Sequence, residues 1–211
     1  MHFLNFNDAM EIIGTFAFAV AGSFAAMEKG LDVFGLLVLA FVTSIGGGTI
    51  RDLLLGITPV SWLSDSRTIS IILVAALLSL LFTKHLSQLS KFLKIFDALG
   101  LGFFTLVGMN KALQFDLSPG VCIALATITG CFGGVLRDVL INNIPLVFRK
   151  EIYASASIVG GTIYYFLQLQ FAQEMAFVLS FIVIVLIRLL AIYYNWSLPG
   201  IYSKNKLSRE D

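Results

Sequence analysis

Charge is what this chain has least of. Only 13% of its 211 residues are Asp, Glu, Lys or Arg, and 58% are hydrophobic, whereas soluble domains carry about 25% charged residues. That excludes a globular fold in water and any extended polar domain. The formal net charge of +1 offers no basic surface for nucleic acid. The two cysteines, Cys122 and Cys131, share one apolar stretch with no histidine nearby. They make neither a disulfide framework nor a metal site. His2 and His85 stand alone at the ends of apolar runs. The chain opens without a basic segment and a small-residue cleavage site, so no removable signal peptide is expected. It also lacks a nucleophile–base pair and clustered metal ligands, so neither an enzyme nor a cofactor is expected.

What is present is apolar length. Runs of about 20 residues, enough to span hydrocarbon, recur from one end to the other. Short polar breaks divide them into seven spans: 8–27, 33–55, 67–84, 95–114, 119–142, 151–169 and 175–195. The expected fold is an all-α membrane protein, one transmembrane domain over 1–199 with a polar tail at 200–211. The face holding the N-terminus carries Arg67 and Lys111. The other carries Lys29, Lys84, Lys91, Lys94, Arg149, Lys150, Lys204, Lys206 and Arg209. Nine basic residues against two place that second face and the tail in the cytoplasm, and the N-terminus outside. Tyr164, Tyr165, Tyr193, Tyr194 and Trp196 suit interfacial anchoring.

One stretch occurs twice. Ser44-Ile-Gly-Gly-Gly-Thr-Ile-Arg-Asp52 returns as Gly130-Cys-Phe-Gly-Gly-Val-Leu-Arg-Asp138, with Gly47, Gly48, Arg51 and Asp52 each repeated 86 positions on. The same shift carries Glu11 to Asp97, Gly14 to Gly100, Gly22 to Gly108 and Pro59 to Pro145. One repeat covers about 8–84 and the other about 94–169, and the helix at about 175–195 stands outside both. Three spans per repeat is an odd number, so the second repeat enters the membrane upside down. Inverted repeats of this kind are a transport architecture with the site near the midplane.

Both copies put charge where hydrocarbon excludes it. A charge at the bilayer centre costs about 2.5–3.5 kcal/mol on insertion scales, so such residues line a path or pair with each other. Glycines cost about 1 kcal/mol each in a helix, so Gly46–Gly48 and Gly130–Gly134 are expected to kink or break their spans. A break would free carbonyls suited to a partly dehydrated cation. The candidate pathway is Gly46, Gly47, Gly48, Thr49, Arg51 and Asp52 on span two. On span five it is Thr129, Gly130, Gly133, Gly134, Arg137 and Asp138. Glu11, Asp97, Lys111 and Arg188 are candidate supporting charges. The structural alternative makes each Arg-Asp pair a self-neutralising knot and turns Thr43, Ser44, Thr49, Thr127 and Thr129 into packing hydroxyls. Arg188 either snorkels or pairs with a carboxylate. Gly22 and Gly108 read as close-packing positions.

The pattern Gly-Gly-Gly-Thr-Ile-Arg-Asp at 46–52 with Gly-Gly-Val-Leu-Arg-Asp at 133–138 resembles the bacterial trimeric intracellular cation channels. So do Glu11-Ile-Ile-Gly14 with Ala17-Phe18-Ala19, Asp97-Ala-Leu-Gly100, Lys111-Ala112 and Arg149-Lys-Glu-Ile-Tyr-Ala154. Glu11 stands where that pattern has aspartate, and Phe132 replaces the first glycine of a second triplet. The resemblance implies a homotrimer of seven-helix protomers, kinked at the glycines of helices two and five. Each protomer would have its own pore for monovalent cations, chiefly potassium. Some bacterial relatives are described as glycine transporters, and the residues alone leave a small-zwitterion carrier beside the channel.

Overall fold

The structure is a computed structural model and describes residues 5–81, 88–148 and 152–196. The tail at 200–211, the Arg149-Lys150-Glu151 stretch and residues 82–87 of the basic loop lie outside the described residues. Among the described residues seven α-helices follow in order: α1 (Phe6–Glu28), α2 (Val33–Leu54), α3 (Ser66–Leu80), α4 (Leu89–Leu113), α5 (Pro119–Leu140), α6 (Ala154–Leu167) and α7 (Gln173–Tyr193). Short 3-10 turns at Ser61–Leu63 and Leu146–Phe148 precede α3 and α6. No strand occurs among the described residues.

Five helices (α1, α2, α4, α5 and α7) are long and apolar enough to cross a membrane. The third helix of each repeat is shorter than the sequence pattern suggests, with 15 residues in α3 and 14 in α6. At about 1.5 Å per residue these reach roughly 21–23 Å, short of a hydrocarbon core of about 30 Å. Each is preceded by a 3-10 turn that an aspartate of the helix before it holds in place. In contrast, α4 starts earlier than expected, at Leu89. Phe92 and Phe96 carry its apolar face on to Phe24 of α1, with ring centroids 6.0 Å apart in each case.

Local chemistry sets the helix starts. Asp32 caps α2 by accepting from the Gly35 N–H at 2.7 Å, and Asp65 caps α3 by accepting from the Arg67 N–H at 3.1 Å. Pro119 opens α5, where its missing N–H costs nothing. The Arg67 side chain also donates to Asp65 at 2.9 Å, and this bond holds the Asp65 carboxyl below the usual carboxylate range.

The two repeats cross each other in opposite senses. Gly14 of α1 faces the Phe104 ring of α4, while Gly100 of α4 faces the Phe18 ring of α1. Gly47 of α2 lies against the Thr129 carbonyl of α5, and Gly133 of α5 lies against the Thr43 carbonyl of α2. Each contact is the other shifted by 86 positions, so α1 and α4 run antiparallel, as do α2 and α5. The inverted repeat is therefore a physical crossing as well as a sequence pattern.

At this crossing the glycines allow close approach. Both α2 and α5 stay α-helical across their glycine clusters, so the expected break into half-helices does not form there. Glycine is needed because a Cβ on Gly47 or Gly133 would run into the partner helix's carbonyl oxygen. Gly22 and Gly108 serve likewise: a Cβ on either would lie 2.7 or 2.6 Å from the Thr43 or Thr129 hydroxyl.

Two apolar clusters form the core. Phe24, Leu36, Leu39 and Ile72 belong to repeat one, and Leu101, Leu106, Tyr164 and Phe177 to repeat two with α7. Helix α7 packs on α4 and α6, where Gly102 receives Phe181 and Gly160 receives Ile184. The matching groove on repeat one, between α1 and α3, is lined by Ile12, Phe16, Ile71 and Val74. It holds no helix among the described residues.

Gly47→Val and Gly133→Val should each lower stability by about 1–3 kcal/mol through overpacking. Gly48→Ala should be neutral or stabilising, because its Cβ would meet only the Arg51 Nη2 at 3.7 Å. Thermal unfolding in detergent measures this difference, and equal destabilisation by all three would contradict the crossing as described.

Candidate functional site

The last turn of α2 holds Arg51 and Asp52, both 1% exposed. Arg51 donates from Nε and Nη2 to Asp52 Oδ1, each at 2.8 Å. Asp52 Oδ2 accepts the Ser61 N–H at 2.8 Å, which ties the 3-10 turn to the helix end. A second carboxylate stands further off, with Glu11 Oε1 3.9 Å from Arg51 Nη2. Arg51 Nη1 is buried and has no hydrogen-bond partner. The group borders a cavity of about 90 Å³ lined by Asp8, Glu11, Thr15, Ser44, Gly48 and Phe104.

Repeat two builds the same device at the opposite end of α1. Arg137 donates from Nε to Asp138 Oδ1 at 2.9 Å, and Asp138 Oδ2 accepts the Leu146 N–H at 3.2 Å. Here the second carboxylate is close: Arg137 Nη1 donates to Asp97 Oδ1 at 2.6 Å, and Asp97 is fully buried. A cavity of about 370 Å³ opens on this side, lined by Glu28, Lys29, Ser90, Lys94, Arg137 and Asn143. The first cavity uses the N-terminal part of α1 and the second its C-terminal end. The two therefore open on opposite faces.

The two sites are matched but not equal. Beside Arg137, Tyr153 is packed over Gly134, its hydroxyl 2.8 Å from where a Gly134 Cβ would stand. Arg188 of α7 lies over the Tyr153 ring at 4.6 Å and donates to the Ile152 carbonyl at 2.7 Å. Arg188 is 1% exposed, so it is packed inside the protein and does not snorkel. In repeat one the position of Tyr153 falls to Arg67, which turns out to Asp65 with 56% of its side chain exposed. The Asp97–Arg137 pair is thus closed at 2.6 Å between buried side chains, whereas Glu11 stays 3.9 Å from Arg51 and 40% exposed.

The remaining candidates separate into lining and packing. Thr43 and Thr129 are buried and donate back to Leu39 and Leu125 carbonyls at 2.6 and 2.7 Å, so their hydroxyls serve packing. Thr127 likewise donates to the Ile123 carbonyl at 2.9 Å. Thr49 accepts from the Trp62 indole N–H at 3.1 Å, and Ser44 donates to the Thr15 carbonyl at 3.1 Å beside the first cavity. Gly46 is filled by Leu136 and Gly130 by Thr105. Lys111 donates to Ser61 Oγ at 3.2 Å, fastening the end of α4 to the turn below the first cavity. Sequence reasoning missed Asp8, Trp62, Tyr153 and the Phe18–Phe104 pair as site residues. Phe18 and Phe104 were within reach, since the same 86-residue shift relates them. No group of three His, Cys, Asp or Glu side chains among the described residues is arranged to hold a metal.

Known proteins carry the same plan. The family described as "Glycine transporter" matches this chain twice, over 8–84 and 94–169, one match for each repeat. The inner membrane protein YadS of Escherichia coli K12 is 39% identical over 193 residues, 90% of this chain and 93% of its own. The solved trimeric intracellular cation channel orthologue from Rhodobacter sphaeroides superposes with a TM-score of 0.85 at 33% identity, over 90% of this chain and 98% of that one. A prokaryotic channel of the same type, solved in 0.5 M KCl, gives a TM-score of 0.86 at 37% identity, over 91% and 98%. The chain is an integral membrane protein that belongs to the Glycine transporter family and shares its fold with these cation channels.

Proposed function

We propose that the protein is a monovalent-cation channel, chiefly for potassium, with one pore in each protomer of a homotrimer in the bacterial inner membrane. The observation that carries this reading is the pair of cavities on opposite faces, each ending on a matched Arg-Asp site at the α2–α5 crossing. Solved proteins of the same fold are described as cation channels, which supports it.

The electrostatics fit cations. Asp8, Glu11, Asp52 and Asp65 border the first cavity, against Arg51 and Arg67. This acidic excess raises the local cation concentration. Each arginine is held by a neighbouring aspartate, so a passing ion meets a nearly neutral pair rather than a bare guanidinium. A Thr-Val-Gly-Tyr-Gly filter does not occur in the sequence, so discrimination among small cations should be weak. The balance of basic residues directs the first cavity outward and the second toward the cytoplasm, with membrane lipid around the exposed apolar helix faces.

A second reading has its own observation. Arg51 Nη1 is a buried donor without a partner beside a cavity that also holds Asp8 and Glu11. A small amino acid such as glycine could place its carboxylate on Nη1 and its ammonium near Glu11, and an inverted repeat suits alternating access.

Purified protein in liposomes separates the two. Potential-driven potassium flux is expected, falling by about tenfold or more in Asp52→Asn and Asp138→Asn, where an arginine loses its neutralising charge inside the path. Saturable uptake of labelled glycine with negligible ion conductance would make the protein a carrier instead. Cysteine scanning along 43–52 and 129–138 should label cavity-facing positions such as Gly48 and spare Thr43 and Thr129. Protection at every position from water-soluble reagents would rule out a path between α2 and α5.

A further inference from the structure

Between the two cavities lies one aromatic contact. Phe18 of α1 and Phe104 of α4 stack with centroids 5.2 Å apart and planes 8° from parallel. They are the same residue of the two repeats, 86 positions apart, so the stack sits on the pseudo-two-fold axis of the molecule. Both are nearly fully buried, at 1% and 3% exposure. Each ring rests on a glycine of the opposite repeat, Phe18 on Gly100 and Phe104 on Gly14. A Cβ on Gly100 would collide with the Phe18 ring, and one on Gly14 would stand 3.3 Å from Phe104 Cε2.

The two rings have different neighbours. Phe104 lines the first cavity together with Thr15, Ser44 and Gly48. Phe18 reaches to within 3.4 Å of a Cβ position on Gly133, one helical turn before Arg137, which lines the second cavity. The Thr43 carbonyl meets the same glycine. The first cavity thus reaches the stack at Phe104. Gly133 and the Thr43 carbonyl lie between Phe18 and Arg137, and the stack itself offers water no hydrogen-bonding partner. A narrow apolar zone between two wet ones empties of water and blocks ions without a moving lid.

We infer that the Phe18–Phe104 stack is the apolar barrier that divides the two cavities and sets the rate at which ions cross. The ionic consequence rests on the channel reading, but the barrier to water does not. Displacing or polarising either ring joins the cavities, and the neighbouring Thr43 becomes reachable from water.

The test uses the full-length protein in liposomes with both cysteines replaced (Cys122→Ala, Cys131→Ala) and Thr43→Cys as reporter. With both rings in place the reporter should resist a small methanethiosulfonate reagent. Phe18→Ala or Phe104→Ala should speed labelling and raise potassium flux, each by about tenfold, as expected when about 1.4 kcal/mol leaves a barrier. Phe24→Ala removes an equally buried ring of α1 away from the axis and should change neither. Phe104→Tyr keeps the packing but brings a hydroxyl to the barrier, and covers the case in which the alanine variants do not fold. It should raise labelling and flux in the same direction. Faster labelling with no potassium flux in any variant would uphold the barrier and refute the channel. Unchanged labelling in folded Phe18→Ala or Phe104→Tyr, or potassium flux lost in them, would overturn the barrier.

Discussion

Everything in this molecule depends on how closely α2 and α5 can approach. Two glycines, Gly47 and Gly133, let each helix lay its backbone on a carbonyl of the other, Thr129 and Thr43. Close approach without side chains draws the arginine one turn further on toward the middle of the bundle in both helices. A bulkier residue at either glycine would separate the helices, and the arginines would then face lipid or empty space. The charged groups are tolerable because the crossing surrounds them with protein.

Given that crossing, the charges are arranged for neutrality more than for strength. Each guanidinium is held by its next-door aspartate, and each of those aspartates also accepts a backbone N–H from the following 3-10 turn. One carboxylate thus quiets an arginine and fixes the loop that leads into the third helix of the repeat. The second carboxylate makes the difference between the halves. Asp97 closes on Arg137 at 2.6 Å, with Tyr153 packed beside Gly134, while the longer Glu11 stays 3.9 Å from Arg51 and 40% exposed. The ion pair of repeat two is therefore the tighter of the two.

Much of this was legible before any coordinates. Seven apolar runs and an 86-residue echo of Gly-Gly, Arg and Asp lead directly to an inverted repeat, because an odd number of spans leaves no other choice. The charged members of the site follow from their cost in hydrocarbon. The glycines were harder to read. A glycine cluster in a helix signals either a break or a close approach, and only the partner's position decides, since Thr129 is 82 residues from Gly47 in sequence. The short third helices were hidden for another reason. Apolar composition continues past the ends of both helices, through Leu81 after α3 and through Ile152-Tyr153 before α6. The stacked phenylalanines escaped notice because aromatic residues are plentiful in any membrane chain, and only the shared shift sets this pair apart.

Helix α7 has no counterpart, and that has a consequence beyond packing. Two inverted repeats alone would present the same face upward and downward, so nothing in them could tell one side of a membrane from the other. By seating itself on α4 and α6 and laying Arg188 over Tyr153, while the equivalent groove on α1 and α3 holds no helix among the described residues, α7 makes the halves inequivalent. A duplicated scaffold with no inherent top or bottom thereby becomes a molecule with a direction.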